Sequence, residues 1–308
     1  MHSRWWRGLQ WAGGVLVVAF VVRYVVSNWA QVRAQPIEWR ISPPLVASSL
    51  LLVLATYGLL IESWRRMLAG WGPRLPWPEA ARVWVLSSMG KYLPGKVWAI
   101  AGMAMLARRR GVPAWAATAS AILLQVVSIG TGALLVGLTG ITSLESRHPG
   151  SRAALFGVLA ASIAALAAVL WPPVARRLVG LVTGSGEAVT SPSLGAIGFG
   201  IGANALAWVA YGGFLWLLAR GVLPQVQLDL AEAIGAFAAS YIAGLLLLFA
   251  PGGFGVRESV IVWMLQDRIG LGNAAALAAV SRIGMTVADI LAALPFLRSF
   301  KEAVRDPA

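Results

Sequence analysis

Six apolar stretches, each close to the roughly 20 residues that a bilayer-crossing helix needs, constrain this chain more than anything else in it. They are Gly8–Val26, Pro44–Ile61, Ala114–Gly140, Ala153–Trp171, Leu194–Ala219 and Ala274–Leu297. Hydrocarbon offers no partner to an exposed N–H or C=O, so such stretches must be helices. Composition agrees. Only 12% of the 308 residues are charged, about half of the roughly 25% found in soluble domains. No polar stretch is long enough for a separate soluble domain. The sequence therefore predicts an all-α polytopic membrane protein forming one integral membrane domain, 1–308.

Charge and residue usage exclude several functions. The net charge of +13 fits Arg-rich cytoplasmic loops against anionic headgroups, so no nucleic-acid partner is expected. Cysteine is absent, which excludes disulfides and thiolate chemistry. The only histidines, His2 and His148, stand in polar flanks. No metal, cofactor or catalytic residue is expected, and the chain is not read as an enzyme. The N-terminal Arg4, Arg7 and the apolar run after them resemble a signal peptide. No small-residue cleavage site follows closely, so the segment reads as an uncleaved span. Tryptophans near the edges of apolar runs (Trp5, Trp6, Trp29, Trp39, Trp71, Trp77, Trp115, Trp171) predict an interfacial belt.

Two further apolar regions are broken. Ala81–Leu106 is interrupted by Gly90-Lys-Tyr-Leu-Pro-Gly-Lys96. Ile234–Leu265 is interrupted by Ala250-Pro-Gly-Gly-Phe-Gly-Val-Arg-Glu258. Proline lacks a donor and glycine admits unusual dihedrals, so neither region continues as one helix. Each can dip in and return to its own side, or cross. Placing both returns alongside a cytoplasmic N-terminus puts fourteen Lys and Arg inside, against seven outside. Lys91, Lys96, Arg257 and Arg282 remain at membrane depth. Full crossings would carry Arg108–Arg110 and Arg176–Arg177 outside, against the positive-inside rule. The expected architecture is six spans plus two re-entrant hairpins, with both termini cytoplasmic in the cell membrane; eight spans is the alternative.

On this topology the hairpins enter from opposite sides, and the segments around them are alike. The first runs Glu79-Ala80, apolar helix, Pro94-Gly95, apolar helix to Met105-Leu106, then Gly111 and an Ala-rich span. The second runs Glu232-Ala233, apolar helix, Pro251-Gly252, apolar helix to Met264-Leu265, then Gly270 and an Ala-rich span. Units of about 79–140 and 232–297 thus read as an inverted repeat, an arrangement that places transporter sites between broken helices. Gly198 and Gly202 form a G-x-x-x-G pair suited to close helix packing, a weak sign of dimerisation.

Gly90–Lys96 matches a P-loop except that Val97 replaces the magnesium-binding Ser or Thr; without a nucleotide domain around it, nucleotide binding is rejected. Lys91 and Lys96 instead suit an anion, since both sit within the break beside free backbone N–H groups. Snorkelling to the interface is the competing reading. Arg257 suits bidentate phosphate recognition, with Glu258 able to neutralise it in an empty site. A structural Arg257–Glu258 pair is the competing reading. Arg282 and Asp289, seven residues apart, share one helix face that should point inward, with Asp289 pairing with Arg257 or Arg282. Gln125 and Ser128 are their polar equivalents in the first unit.

These two motifs, with the Ala-rich spans after them, resemble the lysylphosphatidylglycerol synthase transmembrane region, a flippase-like membrane family also seen as stand-alone proteins. The resemblance covers nearly the whole chain, and Pro251-Gly-Gly-x-Gly-x-Arg-Glu258 is its most specific part. In multiple-peptide-resistance proteins, a domain of this family moves aminoacylated phosphatidylglycerol between leaflets and a separate cytosolic domain makes it. The resemblance thus implies a lipid translocase without aminoacyl-transferase activity. Family members often carry an acidic residue or Arg where this chain has Gln125, a departure that bears on substrate and ion coupling.

The expected site joins Lys91, Lys96 and Arg257 as phosphate ligands. Glu258, Asp289, Arg282 and Gln125 balance charge or meet the headgroup, and Pro94, Gly95, Pro251, Gly252, Gly253 and Gly255 form the breaks. Expected partners are an anionic or phosphate-bearing lipid, a lipid-modifying enzyme and a second copy of the chain. An enzyme acting on lipid phosphates, or an accessory subunit presenting lipid, are the alternatives.

Overall fold

The computed structural model describes residues 37–72, 74–93, 97–143, 152–171, 192–247 and 250–296, with residues 23, 173–174, 177 and 180. The described residues form α-helices and short 3-10 turns, without strands. Among the described residues, five helices are long and apolar enough to cross a membrane. They are α1 (Pro43–Leu68), α4 (Ala114–Ser143), α5 (Arg152–Leu170), α6 (Leu194–Val222) and α9 (Leu271–Ala293). Each corresponds to an expected span. The sixth expected span, Gly8–Val26, lies outside the described residues except for Arg23.

The four remaining helices are short: α2 (Trp77–Ser88), α3 (Val97–Arg108), α7 (Leu230–Leu246) and α8 (Val256–Ile269). The longest, α7, has 17 residues, about 26 Å at 1.5 Å per residue. That falls short of the roughly 30 Å hydrocarbon core. Partners are therefore needed, and the short helices have them: α2 packs against α3, and α7 against α8. A 3-10 turn stands between the arms of each pair, Met89–Tyr92 in the first and Pro251–Gly253 in the second. Both breaks begin earlier than the motifs suggest, because α2 ends at Ser88 and α7 at Leu246.

The two units match further along. A glycine of positive φ follows each second arm, Gly111 at 77° and Gly270 at 83°, and a long helix, α4 or α9, begins after it.

Burial separates the molecule into two apolar clusters. One joins α2, α3 and α4 to the C-terminal half of α1 around Trp64, Met67 and Leu123. The other joins α6, α7, α8 and α9 to the N-terminal half of α1 around Phe214, Phe237 and Leu277. The long α1 lies along α6 and touches both clusters. Trp71 is buried against Trp115, with ring centroids 6.1 Å apart, so it packs in the core rather than in the expected belt. Trp39, Trp77, Trp115 and Trp171 are exposed, as a belt requires. Gly198 and Gly202 face open space; only Gly200 between them packs inward, on Met67 and Leu124. The G-x-x-x-G pair therefore does not serve packing within the described part of the chain.

Candidate functional site at the two broken turns

The turns of the two hairpins touch. Their closeness depends on glycine. A methyl group on Gly90 would lie 2.7 Å from the backbone nitrogen of Ala99, so the arms of the first hairpin can approach there only without a side chain. In the second, Gly252, Gly253 and Gly255 have φ of 56°, 69° and 81°. L side chains rarely adopt this region, which accounts for three glycines in four residues.

Asp289, on α9, is the hub. It is 3% exposed. Its Oδ1 accepts a hydrogen bond from the Tyr57 hydroxyl at 2.7 Å. Its Oδ2 accepts from the Tyr92 hydroxyl and lies 2.7 Å from the Lys91 Nζ. One carboxylate thus ties α1 and the first broken turn to the last described long helix. Burial of a carboxylate needs this degree of pairing and hydrogen bonding. The expected partners of Asp289 were Arg257 and Arg282; the structure gives it Lys91. Geometry explains the exchange. Arg282 lies two turns before Asp289 on α9 and reaches the second broken turn instead. Its Nη1 donates to the Gly252 carbonyl at 3.0 Å, and its Nε lies 3.1 Å from Glu258 Oε1. The shared inward face of Arg282 and Asp289 thus holds one hairpin turn with each residue.

Glu258 is occupied twice over. Besides Arg282, its Oε2 accepts the Gly255 N–H at 2.6 Å, closing the first turn of α8. The pairing expected between Glu258 and Arg257 is absent. Arg257 lies instead over two rings, its guanidinium carbon 4.9 Å from the Tyr241 centroid and 5.2 Å from that of Phe237. Its aliphatic stem is pressed against glycines: a methyl on Gly244 would lie 2.6 Å from its Cγ. Among the described residues no carboxylate lies within ion-pair distance of Arg257, although its side chain is only half-buried.

The described cluster carries three cations, Lys91, Arg257 and Arg282, and two carboxylates, Glu258 and Asp289. Its formal charge is positive by one, and Arg257 is the cation that neither carboxylate neutralises. Such a site can accept one anion. A guanidinium fork supported by ring faces suits a phosphate oxygen pair.

Lys96, Pro94 and Gly95 lie outside the described residues, as does the side chain of Pro251. Gln125 is half-buried on α4 and makes no hydrogen bond to this cluster among the described residues. Ser128 contributes its carbonyl, which accepts from the Trp208 indole at 3.0 Å. Among the described residues, no three His, Cys, Asp or Glu side chains converge in a group that could hold a metal ion.

Sequence reasoning did not assign roles to Tyr57 and Tyr92. Tyr92 stood inside the first motif. Tyr57 had one available signal: a phenolic hydroxyl in the middle of an apolar span needs a partner.

No curated protein matches the chain. The family model described as Lysylphosphatidylglycerol synthase TM region matches residues 11–293. That match takes in both broken hairpins and all the described long helices, and on it the chain belongs to the lysylphosphatidylglycerol synthase transmembrane-region family.

Proposed function

We propose that the chain is a lipid translocase that moves a phospholipid or a polyprenyl-phosphate-linked lipid between leaflets. One observation carries the reading. Two helix breaks meet at a cluster of net positive charge, where Arg257 rests on aromatic rings with no carboxylate partner among the described residues. A lipid phosphate is the anion available at membrane depth. Arg257 grips it, Lys91 and Lys96 approach from the other turn, and Asp289, Glu258 and Arg282 balance the charge.

The supporting architecture is six spans and two re-entrant hairpins related as an inverted repeat. Arms too short to cross alone, packed in pairs around a turn, favour hairpins over full spans. The matching order of short helix, turn, short helix, positive-φ glycine and long helix favours the repeat. Rocking of one unit against the other exposes the cluster to each leaflet in turn. Transport runs downhill or with an ion, since the only P-loop-like stretch lacks its magnesium ligand.

The test starts from the lipid that co-purifies with the protein, identified by mass spectrometry. A fluorescent analogue of that lipid is placed in both leaflets of protein-containing vesicles and bleached from outside. The expected result is bleaching beyond the outer-leaflet fraction. Bleaching equal to that of protein-free vesicles contradicts translocation, and recovery of a chemically altered lipid identifies an enzyme instead.

A further inference from the structure

We infer that Lys91 is shared between Asp289 and the bound phosphate, and that binding of an anionic lipid headgroup loads one proton onto Asp289. The inference rests on the lipid-phosphate reading of the site.

Lys91 stands in the first broken turn with its side chain 36% exposed, while the carboxylate it contacts is 4% exposed. The Lys91 side chain therefore lies between an open side and the closed one that holds the carboxylate. An anion arriving at the open side competes with Asp289 for the ammonium. Among the described residues, Lys91 is the only cation in contact with Asp289. Arg282, on the same helix, is held by Glu258 and the Gly252 carbonyl. Arg257 is held over Phe237 and Tyr241. Once Lys91 turns to a phosphate, the partners left to Asp289 among the described residues are two neutral donors, Tyr57 and Tyr92. A buried carboxylate without a counter-charge is costly, and it neutralises by taking a proton. The balance is simple. Lys91 keeps all its protons and changes partner. Asp289 takes one proton from water and becomes a carboxylic acid, and no bond to the lipid is made or broken.

Among the described residues around Asp289, no other group forms an ion pair with it. From α1 comes Tyr57, and from the first turn Lys91 and Tyr92. Tyr211 of α6 and Tyr241 of α7 lie within electrostatic reach of Asp289, and a phenol is uncharged near neutral pH. From α8 come Arg257 and Glu258; Asp267 and Arg268 sit at its other end, where Arg268 meets Asp229 and Glu232. On α2 the charged residues are Glu79 and Arg82, in its first half, with Glu79 bound to Arg110.

The experiment is calorimetric titration of the purified full chain with dioctanoyl phosphatidylglycerol, whose phosphodiester does not titrate near neutral pH. Titrations are run in buffers of different ionisation enthalpy. The headgroup diester alone, glycerophosphoglycerol, is the second probe and distinguishes a lipid site from a free-anion site. Wild type is expected to take up close to one proton per lipid bound. Its affinity should fall by up to about tenfold per pH unit across the coupled range. Asp289→Asn should bind without proton uptake. Lys91→Met, which removes the cation that changes partner, should lose the uptake as well. Lipid binding with no proton exchange in wild type overturns the inference while leaving the lipid site standing, as does equal uptake in Asp289→Asn. Uptake with both probes supports the linkage and assigns it to the headgroup. Binding of neither probe refutes the lipid-phosphate reading and the linkage together.

Discussion

The two broken hairpins use the same backbone device and different electrostatics. The first closes backbone on backbone, Gly90 against Ala99, and sends its charge outward to a carboxylate on α9, far along the chain. The second carries its own carboxylate. Glu258 closes the start of α8 and holds Arg282, and the glycines of its turn make room for the stem of Arg257. The first turn is thus tethered by its cation, whereas the second is tethered by its anion and leaves a cation unneutralised. An anion can join Arg257 without breaking an ion pair, but reaches Lys91 only by displacing Asp289. On the proposed function, the second turn would receive the anion first and the first turn would follow by releasing Asp289.

Removing the tethers should separate the two halves most strongly. Asp289→Ala takes three partners from α1 and the first turn at once. It should destabilise the protein by about 2–3 kcal/mol, less than for a fully buried pair because Lys91 is partly exposed. Glu258→Ala should cost about 1 kcal/mol, since Arg282 keeps its bond to the Gly252 carbonyl. Thermal unfolding in detergent checks both, and equal losses would break the distinction between the turns.

A gentler contrast uses the glycines. Gly90→Ala pushes a methyl into backbone and should cost about 1–3 kcal/mol of stability. Gly244→Ala pushes against a side chain that can move. It should cost about 1 kcal/mol or less, yet displace Arg257 and weaken lipid binding. Measured together by unfolding and by lipid titration, the two variants should fall in opposite corners. An effect of similar size is expected at Gly252→Ala, where the positive φ alone costs about 1 kcal/mol; a larger loss would mean that the turns meet more tightly than the 3.6 Å left there to the Lys91 carbonyl.

Much of the fold was legible in the chain because its causes are local. Runs such as Leu194–Ala219 are long enough to name their own helices, and Pro251 with three nearby glycines is enough to name a break. The helix ends were less legible: α7 stops at Leu246, within an unbroken leucine run that no residue type punctuates. Site membership was legible in part, since a charge at membrane depth stands out against apolar neighbours. The pairing was not. Asp289 finds Tyr92 across 197 positions and Tyr57 across 232, and only the packing of α1, α2 and α9 decides that Lys91, rather than Arg282, reaches it. Tyr57 was hidden for a related reason: a tyrosine among apolar residues reads as packing until the acceptor is seen.

The central claim is that Arg257 is the cation kept for a lipid phosphate. Vesicles holding wild type, Arg257→Lys and Arg257→Ala at equal density test it in one translocation measurement. Losing a charged, bidentate contact of about 1.5–3 kcal/mol should slow Arg257→Ala by roughly tenfold to a hundredfold, with Arg257→Lys between it and wild type. Equal rates for all three proteins, each shown to be folded by its thermal transition, would contradict the account.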